Sequence, residues 1–106
     1  MNSHIKEVSL PDKLKSIPTG TFQGCKELKI VRMGTKTELI SDYVFDNCPL
    51  TDIYIDAPTP PVCTSKAFAT SGEDFFKTCT LHVPKGRKTM YRYNSNWGQF
   101  QRIREQ

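Results

Sequence analysis

Four cysteines (Cys25, Cys48, Cys63 and Cys79) and two histidines (His4 and His82) are the residues of this 106-residue chain with the most obvious chemistry. Thiolate and imidazole together bind zinc, and a cysteine beside a histidine is also a nucleophile beside its base. The spacing argues against both. No two of the cysteines lie close to one another in sequence. No Cys-x-x-Cys and no histidine pair provides the local chelate from which structural zinc sites are built. Neither a nucleophile elbow nor a glycine-rich phosphate loop occurs. The chain therefore reads as non-enzymatic, with no metal and no cofactor.

The interval from Cys25 to Cys48 belongs to a larger pattern. Ile17, Phe22 and Cys25 recur at one common offset as Ile40, Phe45 and Cys48, and the same offset from Phe45 reaches Phe68. Val8-Ser-Leu10 becomes Val31-Arg-Met33, then Ile53-Tyr-Ile55 and, after an insertion, Leu81-His-Val83. Each is an apolar-x-apolar triplet, the mark of a short strand with one buried face. A period in the twenties with aliphatic anchors signals a leucine-rich solenoid, in which each coil buries its core face only against neighbouring coils. Four triplets then predict a narrow parallel sheet. In this frame Cys25 and Cys48 sit where a small side chain bonds the coil's own backbone, and both are expected reduced. Cys63 precedes Phe68 by the same interval at which Ile17 and Ile40 precede Phe22 and Phe45, and so replaces a core isoleucine. Cys79 has no counterpart.

The unit resembles the BspA-type leucine-rich repeat family, which reads roughly as Cys-x-x-Leu-x-x-Ile-x-Leu-Pro followed by Leu-x-x-Ile-x-x-x-x-Phe-x-x-Cys. The similarity extends into the tail, through Ala57-Pro58, Pro60-Pro61, Ala67-Phe68, Leu81-His-Val83-Pro84-Lys-Gly86 and Tyr91 to Trp97, Phe100 and Ile103. The resemblance implies an α/β solenoid: a right-handed leucine-rich coil with a narrow parallel sheet, short helical turns and a C-terminal cap. It also implies a secreted or surface-exposed bacterial protein that adheres to host matrix proteins or to other cells.

One domain accounts for the length, with repeats over residues 1–83 and a cap over 84–106. No run of 18 apolar residues is present, so membrane insertion is not expected. The N-terminal Met-Asn-Ser-His-Ile-Lys-Glu lacks the apolar core of a secretory signal. Counting back one period from Leu28 and Cys25 reaches Ile5 and Asn2, so the chain starts inside a repeat. That suggests the end of a longer array, with upstream repeats of the same protein as neighbours; a complete small protein beginning at Met1 is the alternative. Charge is uneven: residues 1–79 carry nine Lys/Arg and ten Asp/Glu, whereas residues 80–106 carry six Lys/Arg and only Glu105. The basic residues of the tail are scattered among aromatics, which fits the solvated outside of a cap better than a nucleic-acid site.

In chain order, residues 5–10 read as strand, Leu14 and Ile17 as inward anchors, and Pro18 onward as a helical turn carrying Phe22 inward. The second unit repeats this with Tyr43, Val44 and Phe45 as its inward turn. Residues 56–61, rich in proline, read as an extended edge, and residues 70–74 as a loop. Residues 87–93 have helix-forming composition. Trp97, Phe100 and Ile103 read as an apolar stripe on a final turn that closes the core.

The middle residue of each triplet must point away from the core. Ser9, Arg32, Tyr54 and His82 should therefore stack in a row on the outer sheet face, flanked by Glu7, Ile30, Asp52 and Thr80 and by Pro11, Gly34, Asp56 and Pro84. Ser9, Arg32, Asp52, Tyr54, Asp56 and His82 form the candidate ligand-binding face, because Arg and Tyr are favoured at protein interfaces. A protein-binding module is the leading functional reading. The others are an end cap or spacer with no ligand of its own, and an intracellular scaffold.

Overall fold

The computed structural model describes residues 4–68 and 73–106. The apolar triplets form parallel strands β1 (Glu7–Ser9), β3 (Ile30–Met33), β5 (Asp52–Ile55) and β7 (Thr80–Val83), hydrogen-bonded in that order. Alternation decides the faces: Val31, Met33, Ile53, Ile55, Leu81 and Val83 are buried, and the residues between them are not. A fifth strand, β8 (Arg102–Glu105), pairs with β7 and places Ile103 in register with Leu81. This corrects the expectation of four strands and of a helical stripe through Ile103. Trp97 does begin a 3-10 turn (Trp97–Gln99), but Arg-Ile-Arg-Glu that follows alternates charged and apolar side chains as an edge strand does.

A second parallel sheet, absent from the sequence reading, joins β2 (Ser16–Ile17), β4 (Leu39–Ile40) and β6 (Val62–Cys63). Ile17, Ile40 and Cys63 are in register and buried, so Cys63 occupies the isoleucine position. The helical turns carry a third ladder. Backbone N–H groups of Gly20, Phe22 and Gly24 donate to the carbonyls of Asp42, Val44 and Asp46 at 3.0, 3.1 and 3.0 Å, and those of Tyr43 and Phe45 donate to Lys66 and Ala67. Phe22, Phe45 and Phe68 consequently stack, with ring centroids 5.9 and 5.6 Å apart.

This turn demands left-handed backbone twice per coil. Gly20 and Gly24 have φ of +71° and +75°, and the residues one period on, Tyr43 and Asn47, have +61° and +59°. Asn tolerates that region and Tyr does so at a cost. Tyr43 is only half-buried, so the inward residues of the second turn are Val44 and Phe45.

After β6 the chain widens. Of the segment read as a loop, residues 70–72 lie outside the described residues, whereas Asp74 belongs to helix α1 (Glu73–Thr78). Phe75 and Phe76 of that helix reach Phe68 with centroids at 5.3 and 5.9 Å, joined by Phe100 at 5.6 Å and Trp97 at 6.4 Å. Helix α2 (Lys88–Arg92) buries Tyr91. The Tyr91 hydroxyl donates to Ala57 O at 2.8 Å, Trp97 Nε1 donates to Pro61 O at 2.9 Å, and Asn96 Nδ2 donates to Cys63 O. Side chains of residues 84–106 thus bond carbonyls in and beside the last strand of the second sheet, which has no following strand among the described residues. One contiguous core runs from Ile17 to Ile103.

The phenylalanine stack yields a graded prediction. Phe45, fully buried between two rings, should cost about 3–5 kcal/mol on truncation to alanine. Phe22, 9% exposed at one end of the stack, should cost less. Urea unfolding of F45A and F22A is the measurement, and equal losses would contradict the stacking hierarchy.

Candidate functional site

The outward row forms as the alternation requires: Ser9, Arg32, Tyr54 and His82 are consecutive register partners. It is more ordered than an ordinary sheet surface. The Arg32 guanidinium carbon lies 4.1 Å from the Tyr54 ring centroid, and the His82 ring stacks on Tyr54 at 4.0 Å with 7° between the planes. A guanidinium over a phenol is a favourable cation–π contact, worth about 0.5–1 kcal/mol at an exposed site. Both faces of Tyr54 are therefore covered, and what it offers a ligand is its edge and hydroxyl.

Two carboxylates hold this stack from the flank. Glu7 Oε2 accepts from Arg32 Nε at 3.3 Å, and Asp52 Oδ1 accepts from His82 Nε2 at 2.9 Å. Because a carboxylate only accepts, the His82 hydrogen sits on Nε2 and leaves Nδ1 without a partner among the described residues. The His82 side chain is 18% exposed, so it is a packed member of the row although it points away from the core. Asp52 also accepts from the Thr51 hydroxyl at 3.0 Å. The hydrogen bond from His82, helped by that from Thr51, holds the Asp52 carboxyl below its ordinary value of 3.8, against the opposing effect of partial burial.

The remaining candidates are less tightly joined. Ser9 lies at the first strand beside Arg32 with no side-chain partner among the described residues. Asp56, one residue past β5, accepts from Gln106 Nε2 at 3.0 Å, so it is tied to the C-terminus rather than to the stack. Two residues that the sequence reading left out belong to the same face. β8 sets Arg102 beside Thr80 and Arg104 beside His82, and both are exposed. Their signal was the alternation around Ile103, hidden because Trp97, Phe100 and Ile103 also fit a three-residue spacing.

The cysteines are elsewhere. All four are free and buried. Burial pushes the Cys48 thiol up to about 11 and those of Cys63 and Cys79 up to about 12, so none of these three supplies a thiolate near neutral pH. Cys48 Sγ donates to Phe22 O at 2.9 Å, a carbonyl of the preceding coil, and only at 3.7 Å to Asp46 O of its own. That corrects the expectation that the thiol serves its own backbone: it is a bond between coils. Cys79 lies immediately before β7, whereas the buried Leu28 and Leu50 stand two residues before β3 and β5, so it has no counterpart in the earlier coils.

Coils, ladders and core positions recur as a leucine-rich repeat demands, and the family model for the BspA type leucine-rich repeat region matches residues 1–82. The chain belongs to the BspA-type leucine-rich repeat family. A search among curated proteins gives no match. The repeat frame places the buried side of this BspA-type module, and the outer row lies outside that core. No helix among the described residues is long and apolar enough to cross a membrane.

The His82–Asp52 pair gives a pH prediction. A carboxyl whose value is lowered by folding contributes stability above pH 3.8, and that contribution is lost as pH falls through the lowered value. Replacing His82 by alanine should move the Asp52 titration, followed by NMR of its carboxyl carbon, upward toward 3.8. An unmoved midpoint would mean that the pair does not persist in solution.

Proposed function

We propose that this BspA-type repeat module is a non-enzymatic protein-binding element of a bacterial cell-surface or secreted protein. Its ligand face is the outer side of the five-stranded sheet. Host matrix or cell-surface proteins are the partner class. The carrying observation is the Arg32–Tyr54–His82 stack. These three side chains leave the core, yet their ring and guanidinium planes are packed at 4.0 and 4.1 Å and tied at both ends by carboxylates. A row ordered before a partner arrives loses little side-chain entropy on binding. Arg and Tyr are also the side chains on which interface energy concentrates.

The test is titration of wild type and of the triple variant R32A/Y54A/H82A against candidate matrix proteins, with thermal melts of each. Folding should lose little, since exposed pairs and stacks contribute about 1 kcal/mol or less each. Binding should weaken by about 2 kcal/mol or more, close to thirtyfold. Equal affinities with equal melts would remove the face from consideration.

A second reading, in which residues 84–106 make this segment an end cap of a longer array, is favoured by the donors from Tyr91, Asn96 and Trp97 to the carbonyls of Ala57, Cys63 and Pro61. Deleting residues 95–106 removes β8, Trp97 and Phe100 and exposes the aromatic cluster around Phe68. The shortened chain should aggregate or melt much lower. A monomer with an unchanged melting temperature would rule out the capping role.

A further inference from the structure

The charged groups on the outer face divide unequally into engaged and unengaged. Each of its three carboxylates is occupied: Glu7 by Arg32, Asp52 by His82 and Thr51, and Asp56 by Gln106. Glu105, on the opposite register of β8, accepts from the backbone N–H of Lys88. Arg102 and Arg104, by contrast, make no hydrogen bond or ion pair among the described residues. They stand two apart on one strand, so their side chains emerge from the same side of the sheet, with their Cα atoms about 6.7 Å apart. Asp52 and Asp56 keep their negative charge but are bonded to His82 and Gln106, and neither meets Arg102 or Arg104 among the described residues. Over residues 80–106 six Lys/Arg face a single Glu, which biases the surrounding field the same way. Arg92 does not join them, because its guanidinium is engaged with Phe100 O at 2.9 Å and Gln101 O at 3.4 Å.

We propose that Arg102 and Arg104, with the His82 and Tyr54 edges beside them, bind an extended acidic segment of a partner protein whose carboxylates alternate along its chain. This rests on the protein-binding reading of the same face and names the chemistry of its partner. A guanidinium presents a planar fork that matches a carboxylate bidentately. In an extended peptide, residues i and i+2 project from one side with the same spacing of about 6.7 Å that separates the two arginines. Two forks and two carboxylates then meet in register, whereas carboxylates three apart point to opposite sides of the peptide. Across the sheet, His82 adjoins Arg104 and Tyr54 adjoins His82, with neighbouring strands about 4.8 Å apart. The Tyr54 hydroxyl can therefore donate to a further carboxylate toward the middle of the face, while His82 Nδ1, an acceptor, can take only an N–H or O–H of the segment.

The experiment measures binding of two peptides of identical composition, Thr-Glu-Thr-Glu-Thr-Glu-Thr and Glu-Thr-Thr-Glu-Thr-Thr-Glu, both with blocked termini, to the full chain at low salt. Heparin serves as a sulfated polysaccharide probe. The alternating peptide should bind several-fold more tightly than its isomer. The variant R102Q/R104Q should weaken it about tenfold, while K13Q/K26Q, which removes the same charge from exposed positions elsewhere, should leave it unchanged. Both arginines lack partners, so the melting temperature of R102Q/R104Q should equal that of wild type. Equal binding of the two peptides, no binding of either, or indifference to R102Q/R104Q would overturn the proposal. So would heparin binding through these arginines with neither peptide bound. If the peptides fail while R32A/Y54A/H82A still loses a matrix protein, the face remains a protein-binding surface and only the acidic-strand partner falls.

Discussion

Outside its tight turns, each coil of this molecule satisfies its backbone by hydrogen-bonding to the coil beside it, and the rest of the structure follows from that. The pairing runs along three stretches of the circuit: the five-stranded sheet, the three-stranded sheet and the phenylalanine turn. Parallel ladders along all three leave no freedom to slip, because a one-residue shift would turn every buried side chain outward. The same residue type must then recur at the same place. Phe22, Phe45 and Phe68 stack for that reason, and Tyr43 accepts a positive φ of 61° where the preceding coil uses glycine. The ladder outweighs the local preference of one residue.

Beyond Phe68 the face-to-face stacking gives way to a different packing. The step from Ile53 to Leu81 is longer than those from Val8 to Val31 and from Val31 to Ile53. In the longer span, α1 sends Phe75 and Phe76 onto the exposed side of Phe68, and Phe100 and Trp97 close over them at right-angled or tilted geometries. Most of these contacts are edge-to-face, one of the two arrangements that the ring quadrupole favours, while Trp97 and Phe100 stack on each other at 6.0 Å. Backbone acceptors are treated in the same spirit. Where β4 gave β6 a strand to pair with, β6 and the proline-rich segment before it receive an indole, a phenol and a carboxamide.

How much of this was legible in the chain depended on whether a residue repeats. Val31, Ile53 and Leu81 announced their strand by recurrence, and so the outward positions Arg32, Tyr54 and His82 between them were also placed correctly by register. The two-residue strands around Ile17, Ile40 and Cys63 are too short for alternation to show, although the recurrence of isoleucine one period apart marked their inward side. Ile103 follows Leu81 at the same step that separates Ile53 from Val31, but Arg104-Glu105 after it breaks the apolar-x-apolar triplet. Without the full triplet the recurrence was not recognised, and the three-residue distance from Phe100 favoured a helix over the strand. The missed strand is what hid Arg102 and Arg104 from the candidate face. The stacking of His82 on Tyr54 was likewise out of reach, since register brings two side chains adjacent without stating whether they lie flat against each other.

That flat packing changes what the face can do. An exposed tyrosine on a sheet usually offers its ring as a platform, and a ligand gains by covering it. Here Arg32 covers one side and His82 the other, so the apolar area of Tyr54 is already used within the protein. The surface left to a partner is a comb of edges: guanidinium nitrogens, a hydroxyl, an imidazole nitrogen and, on β8, two more guanidiniums. In the binding role proposed for this face, such a comb would select by direction rather than by area, because each tooth donates or accepts along its own plane. The parallel ladder sets the interval between teeth at one strand spacing, about 4.8 Å, and the flanking carboxylates Glu7 and Asp52 fix the tilt. The repeat that builds the core therefore also sets the spacing of the outer face, and the partner proposed for it would carry its own polar groups at a matching interval.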